Sequence, residues 1–240
     1  TVAGALTLED ALRLVLVRGE WMAKAAAGAM LAIPRDEQTV AAWLESGDLW
    51  LAAVNGPSRC VVAGRVDAVE QLKLRLTAAG IEAQLVRTCG AFHSGLMDHV
   101  IGPLTEAASS IRPSAPRIPF IANVTGTWAT LAQISDPGYW GRQLREPVRF
   151  AAGVQQLLDA GNTVFVEAGP GQTLGAFVRG CAPGRDDLTV ISSLRHAMEM
   201  TSDDQRLASG LARAWMCGAA IDWRAYHGSE RRSRVELPPY

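Results

Sequence analysis

The stretch Gly90-Ala91-Phe92-His93-Ser94 is the part of this sequence best suited to chemistry. It sets a histidine in a short loop between a predicted strand, Ile81 to Val86, and a helix predicted to begin near Ser94 and run through Leu96, Met97, Val100, Ile101 and Leu104. An imidazole beside a helix N-terminus feels the positive end of the dipole, which favours the neutral ring. His93 is therefore expected to be able to accept a proton near neutral pH. A loop histidine bonded only to backbone is the structural alternative.

Arg18 is the second residue of interest. The helix predicted between Thr7 and Gly28 places Ala11, Leu14, Val15, Trp21 and Met22 within about 60° of Arg18, at about 100° per residue, with Glu9, Arg13, Glu20 and Lys24 on the far side. A guanidinium at the centre of an apolar face keeps its charge and needs a partner, and a carboxylate is the best planar match. That partner is either an Asp or Glu of this chain or an acidic ligand.

The elements that must position these residues read in order along the chain. Thr7-Leu8-Glu9-Asp10 is a helix start of the capping-box kind, and Gly28 is the expected stop. Strands are predicted at Met30 to Ile33, Leu49 to Val54, Cys60 to Ala63 and Ile81 to Val86, with helices at Asp36 to Glu45 and Val66 to Ala79. This βαββαβ order is the ferredoxin-like arrangement, expected as a small lobe over 28–92 inserted in a larger one formed by 1–27 and 93–220. Buried strands are predicted at Arg117 to Asn123 and Thr163 to Glu167, with a helix at Val154 to Asp159 between them. Another strand at Thr189 to Ser192 and a helix at Asp204 to Met216 follow. Such alternation implies a parallel α/β sheet. Gly169-Pro170-Gly171-Gln172-Thr173 turns sharply from strand to helix, but Pro170 removes an amide donor and there is no P-loop Lys, so it is a poor phosphate cradle. Residues 221–240, basic and irregular, read as an extended surface linker.

Composition bounds the function. With 48% hydrophobic and 20% charged residues the 240-residue chain can bury a core, and a net charge of −1 gives no footprint for nucleic acid or an anionic membrane surface. No apolar run approaches the roughly 20 residues that span a bilayer. Cys60, Cys89, Cys181 and Cys217 lack the close spacing of metal sites, and the N-terminus has no signal-peptide pattern. A cytoplasmic protein with reduced thiols and no metal is expected. The opening Thr1-Val2-Ala3-Gly4-Ala5-Leu6 reads as the end of a helix already under way, so the chain is expected to start in mid-domain.

Taken in order, these segments match one family. Leu8-Glu9-Asp10-Ala11-Leu12, Arg18-Gly19-Glu20-Trp21-Met22, Gly28-Ala29-Met30, Ala53-Val54-Asn55-Gly56-Pro57, Ala91-Phe92-His93-Ser94, Asn123-Val124-Thr125-Gly126, Tyr139-Trp140, Gln143-Leu144-Arg145-Glu146-Pro147-Val148-Arg149-Phe150 and Val166-Glu167-Ala168-Gly169-Pro170-Gly171 follow one another in this sequence. The chain resembles the acyltransferase domain of modular type I polyketide synthases, related to malonyl-CoA:acyl carrier protein transacylase. The closing Val235-Glu236-Leu237-Pro238-Pro239-Tyr240 resembles that family's post-acyltransferase linker, which leads back to a ketosynthase domain.

The resemblance implies an α/β-hydrolase-like large subdomain, incomplete here, with the ferredoxin-like lobe inserted. It implies ping-pong transfer of a malonyl-type extender unit from coenzyme A to the phosphopantetheine arm of an acyl carrier protein, with no cofactor bound by the domain itself. His93 is the implied base. The nucleophilic serine, on a Gly-His-Ser-x-Gly elbow, is expected a few residues before Thr1, and neither Ser94 nor Cys89 is a candidate for it. Arg18 matches the arginine that binds the substrate's free carboxylate, and Gln143 the position whose backbone carbonyl orients the histidine. Phe92 belongs to the motif linked to malonyl selection, in which Gly90 replaces the more usual His. Met22 and Asn123, from matched segments, are further substrate-binding candidates. The alternative is a catalytically inactive remnant that spaces or docks neighbouring domains of a megasynthase.

Overall fold

The computed structural model describes residues 1–44, 47–88, 90–230 and 236. Contacts group them into two compact units, Thr1–Asn162 with Ala176–Asp186, and Thr163–Gly175 with Asp187–Tyr240. The ferredoxin-like lobe thus shares its unit with the segments before it and after it.

The first helix of the first unit is α1 (Leu8–Met22). Thr7 is the N-cap the sequence predicts, with Asp10 N–H donating to Thr7 Oγ1 at 3.0 Å, but the capping box is only half formed, because the Asp10 carboxylate accepts from the Thr7 hydroxyl at 2.8 Å and not from its backbone N–H. It ends at Met22 rather than near Gly28, because Gly28 opens the next strand. Leu14 is buried, whereas Val15, expected on the buried face, is 64% exposed together with Leu8, Leu12 and Leu16.

The lobe that follows contains β1 (Gly28–Ile33), α2 (Glu37–Ala41), β2 (Leu49–Gly56), β3 (Arg59–Arg65), α3 (Val66–Ala78) and β4 (Gln84–Leu85). The strands form one antiparallel sheet in the order β2-β3-β1-β4, as a ferredoxin-like unit requires. Leu31, Ile33, Cys60 and Val62 face Val40 of α2 and Val69, Leu72 and Leu76 of α3. The alternate residues Met30, Val61 and Ala63 face Ala52, Ala53 and Ala91. Both faces of the sheet are therefore covered, one of them by the loop that carries His93. Two predicted elements are shorter than expected. The predicted α2 runs only to Ala41, with Glu45 outside the described residues. In β4 only Gln84 and Leu85 pair with β1, although Val86 N–H still donates to Met30 O at 2.9 Å.

A 3₁₀ turn (Gly95–Met97), capped by Ser94, leads into α4 (Asp98–Ser109). The predicted buried strand from Arg117 to Asn123 is absent. Arg117 N–H bonds to Ala3 O at 2.7 Å, Pro119 has no N–H to give a ladder, and only β5 (Ile121–Ala122) pairs, antiparallel, with β6 (Thr127–Trp128). Next come α5 (Leu131–Ser135), α6 (Pro137–Arg145) and α7 (Phe150–Asp159), the last starting four residues before the predicted Val154.

In the second unit β7 (Val164–Pro170) pairs in parallel with β8 (Thr189–Leu194), as the alternating pattern implies. The strand expected to be buried at Thr163 to Glu167 instead alternates, with Val164 and Val166 exposed. The turn after it leads into α8 (Thr173–Cys181), whose first amides, Leu174 N–H and Gly175 N–H, donate to the Glu167 carboxylate at 3.1 and 2.9 Å. Those donors are already engaged by an anion of the chain itself, so this turn cannot cradle a phosphate. Beyond α9 (Asp203–Met216), the expected linker contains a short helix, α10 (Trp223–His227), capped by Asp222. Of residues 231–240, which carry its basic and Pro-rich runs, only Glu236 is among the described residues. Among the described residues no helix is long and apolar enough to cross a membrane.

Candidate active site

One short segment, Gln143 to Phe150, ties the chemical residues to the scaffold. It is the end of α6 and the turn into α7. Glu146 precedes Pro147 and is extended (φ −80°, ψ 155°), so the helix stops there and its last carbonyls are free to point elsewhere. They point at His93. Leu144 O accepts from His93 N–H at 3.1 Å, and Glu146 O accepts from the ring Nδ1–H at 2.8 Å. Two residues on, Val148 joins the edge of the ferredoxin-like sheet. Its N–H donates to Ala52 O and its carbonyl accepts from Val54 N–H, each at 2.9 Å. Arg149 pairs with Glu37 of α2 at 2.5 Å, and Phe150 meets the Phe177 ring edge-on at 5.9 Å.

The bond to Glu146 decides the histidine's chemistry. A backbone carbonyl can only accept, so Nδ1 carries a proton, and in the neutral ring Nε2 is the nitrogen that keeps its lone pair. His93 is also the single non-glycine residue with positive φ, 57°, among the described residues. Such a conformation costs energy and persists only where surrounding bonds hold it, here one to the amide and one to the ring. Burial pushes the His93 pKa below 6.5, the Glu146 carbonyl opposes that shift, and the positive Arg18 adds to it. The direction of this shift favours the neutral ring that the sequence predicts, with burial rather than a helix dipole as its main cause. Ser94 is fully buried, with its hydroxyl donating to Ala91 O at 2.6 Å and accepting from Leu96 N–H, a cap rather than a nucleophile.

Arg18 projects from α1, and its Nη1 donates to the side-chain Oε1 of Gln143 at 2.5 Å. It is half-buried, and desolvation draws its pKa down from the usual value. Among the described residues no carboxylate lies within ion-pair range of it. Gln143 therefore differs from its expected part: Glu146 supplies the ring-orienting carbonyl, and Gln143 supplies a side chain to the arginine. Phe92 and Met22 pack against one cluster of Met97, Val100 and Leu144, the last of which supplies the carbonyl bonded to the His93 amide. Asn123 stands apart. It is exposed in the turn between β5 and β6, where its carbonyl accepts from Arg149 N–H at 2.8 Å. Among the described residues no cluster of three or more His, Cys, Asp or Glu could hold a metal.

A scan of family models matches residues 1–207 to the acyl transferase domain. The chain belongs to the acyl transferase domain family. A phenolphthiocerol/phthiocerol polyketide synthase component of Mycobacterium tuberculosis is 34% identical over 223 residues, which is 93% of this chain and 15% of that protein. The acyltransferase domain from the second module of the salinomycin polyketide synthase superposes with a TM-score of 0.87 at 35% identity, over 99% of this chain and 55% of that one. The acyl transferase domain of SpnD, solved in complex with 2-(pent-4-yn-1-yl)malonyl, gives 0.84 at 36% identity, over 90% of this chain and 52% of that one. The chain thus spans about half the length of these solved domains and a small part of its curated polyketide synthase relatives. The α/β fold of the family, with the ferredoxin-like sheet described above, is the fold of this chain.

Proposed function

We propose that this chain provides the base and the carboxylate-binding part of an acyltransferase site. That site would move a malonyl-type acyl group from coenzyme A to the phosphopantetheine thiol of an acyl carrier protein. The observation that carries this reading is the presence together of a histidine with a fixed tautomer and a half-buried arginine that has an amide partner but, among the described residues, no carboxylate. A chain that only spaced its neighbours would gain nothing from desolvating a cation without a counter-charge. The malonyl-type ligand of the SpnD domain supports the same acyl class here.

No Gly-x-Ser-x-Gly occurs in these 240 residues, and the nucleophile of this reading is a serine of the same protein outside them. As its Oγ attacks the thioester carbonyl, the Oγ proton passes to His93 Nε2. The C–S bond then breaks and that proton leaves with the coenzyme A sulfur. The second half repeats the exchange with the phosphopantetheine thiol, whose proton goes to Nε2 and then back to Oγ. Arg18 pairs with the free carboxylate of the acyl group throughout, and Phe92 and Met22 contribute the apolar wall beside it.

Radiolabelled malonyl-CoA and acetyl-CoA, offered to the full-length protein, provide the test. Malonyl label should be stable on the protein, and Arg18→Ala should lose on the order of 2–5 kcal/mol with malonyl-CoA and much less with acetyl-CoA. Equal losses with both thioesters would refute the carboxylate role. Stable label on the 240-residue chain alone would place the nucleophile inside it and overturn the division of roles.

A further inference from the structure

Gln143 takes part in the site through a side chain whose function the orienting of His93 does not explain, since Glu146 O already holds the ring. We propose that Gln143 is a specificity-determining positioning residue: its neutral amide oxygen fixes the Arg18 guanidinium with one hydrogen bond and leaves the positive charge for the carboxylate of the acyl group. The inference rests on the acyltransferase reading above.

Three observations support it. The first is rigidity. Gln143 lies on α6, a helix capped by Asp136, which accepts from Gly138 N–H and pairs with Arg142. A Cβ added at Gly141 would come within 2.9 Å of the Ile101 side chain, so α6 lies close against α4 at this point. An acceptor on such a helix has a fixed position.

The second is stoichiometry. A guanidinium has five N–H donors in one plane, and Gln143 engages one, at Nη1. The others remain for a bidentate carboxylate.

The third is charge. A glutamate at 143 would have almost the same shape and would complete an ion pair inside the chain, so an incoming carboxylate would have to displace it. Glutamine gives the same direction without neutralising the cation. The residues flanking it in the same segment supply Leu144 O and Glu146 O to His93, so one helix end sets both the base and the cation.

The test compares Gln143→Met, which keeps the volume but removes the acceptor, with Gln143→Glu, in the full-length protein. Initial rates of acylation are measured with malonyl-CoA and with acetyl-CoA. With malonyl-CoA, Gln143→Met should raise KM about tenfold with kcat within about threefold, the loss expected for one hydrogen bond to a charged group. Gln143→Glu should lower kcat/KM for malonyl-CoA by at least about tenfold, because its carboxylate occupies Arg18. Each variant should lose markedly less with acetyl-CoA than with malonyl-CoA. Equal losses with both thioesters, or unchanged malonyl kinetics, would overturn the proposal. If Gln143→Met does not fold, the near-isosteric Gln143→Glu decides alone. Selective loss in Arg18→Ala with neither Gln143 variant selective removes this inference and leaves the acyltransferase reading intact. Wild-type protein acylated by neither thioester removes both.

Discussion

The ring of His93 and the carbonyl of Glu146, 53 residues apart in sequence, are joined by a 2.8 Å hydrogen bond that fixes the imidazole tautomer. Because the donor is Nδ1, the basic nitrogen is Nε2, and its basicity is set by burial, by Arg18 and by this bond. The direction of that shift sets the pH behaviour. A pKa below 6.5 means the free ring persists to lower pH than in an unfolded chain. The acid limb of kcat/KM in the full-length protein should therefore lie below 6.5, and Arg18→Ala should move it upward. Stability of the folded chain should fall as pH drops through this window, since the unfolded state binds the proton first. A pH–rate profile with its acid limb above 6.5 would contradict the assignment.

Backbone strain at the same residue provides a second prediction. With φ at 57°, His93 occupies the left-handed region, which Asn tolerates and Ala does not. Asn can also donate an N–H toward Glu146 O. His93→Asn and His93→Ala should both cut acylation by roughly 10²–10⁴-fold, since each removes the base. His93→Ala should in addition be less stable than His93→Asn by about 1–2 kcal/mol. Denaturant melts separate the two effects. Equal stability of the variants would mean that the loop relaxes and that His93 carries no strain.

How much of this is legible in the residues depends on the range of the interaction. The Thr7–Asp10 cap, the Ser94 cap, and the strand and helix order of the ferredoxin-like lobe all follow from short-range chemistry. Arg18 stands out because helical periodicity puts a cation among apolar residues. Its partner Gln143 is 125 positions away and electrically neutral, and a search for a matching carboxylate passes over it. Glu146 escapes a reading by residue type, although Pro147 marks the place where a helix must end with a free carbonyl. The strand expected at Arg117 to Asn123 fails because periodicity does not weigh the donor that Pro119 lacks, and the early end of α1 is hidden because Gly28 serves equally as a helix stop and as a strand start.

That glycine makes a third prediction, linking lobe and site. A Cβ at Gly28 would stand 2.5 Å from Ala91 Cβ and 2.9 Å from Gly64 O, so β1 and the loop before His93 touch there. Gly28→Ala should cost about 1–3 kcal/mol, as overpacking does, and should displace Ala91-Phe92-His93. The expected result is a lowered melting temperature together with a lower kcat. A variant with unchanged stability and activity would show that this close approach does not position the loop.

Thiol chemistry gives a fourth. Cys60 is fully buried in the sheet, and burial, with Glu37 and Asp36 nearby, pushes its pKa up to about 11. Cys217, at the end of α9, is exposed. The thiolate is the reactive form, so iodoacetamide at pH 8 should label Cys217 well before Cys60, with Cys60 reacting only on denaturation. Peptide mapping by mass spectrometry after a timed pulse reads the order. Early labelling of Cys60 would mean that the sheet opens readily.

The last prediction concerns the size of the acyl group. Phe92 precedes His93, packs against Met97, Val100 and Leu144, and holds its ring 3.4 Å from where a Cβ on Gly90 would stand. With this rigid ring beside His93, the α-methyl of methylmalonyl-CoA has less room than the hydrogen of malonyl-CoA, and forcing a methyl into a filled space typically costs about 1–3 kcal/mol. A preference for malonyl-CoA of roughly 10- to 200-fold is expected, the usual range for one methyl group. Phe92→Ser should relieve the clash and raise methylmalonyl turnover. It should also lose some malonyl activity, because the ring supports Leu144, which holds the His93 amide. Competing the two thioesters in one reaction and weighing the acylated carrier protein measures the ratio directly. If methylmalonyl-loaded carrier protein dominates with the unmodified protein, Phe92 is not the residue that limits the pocket.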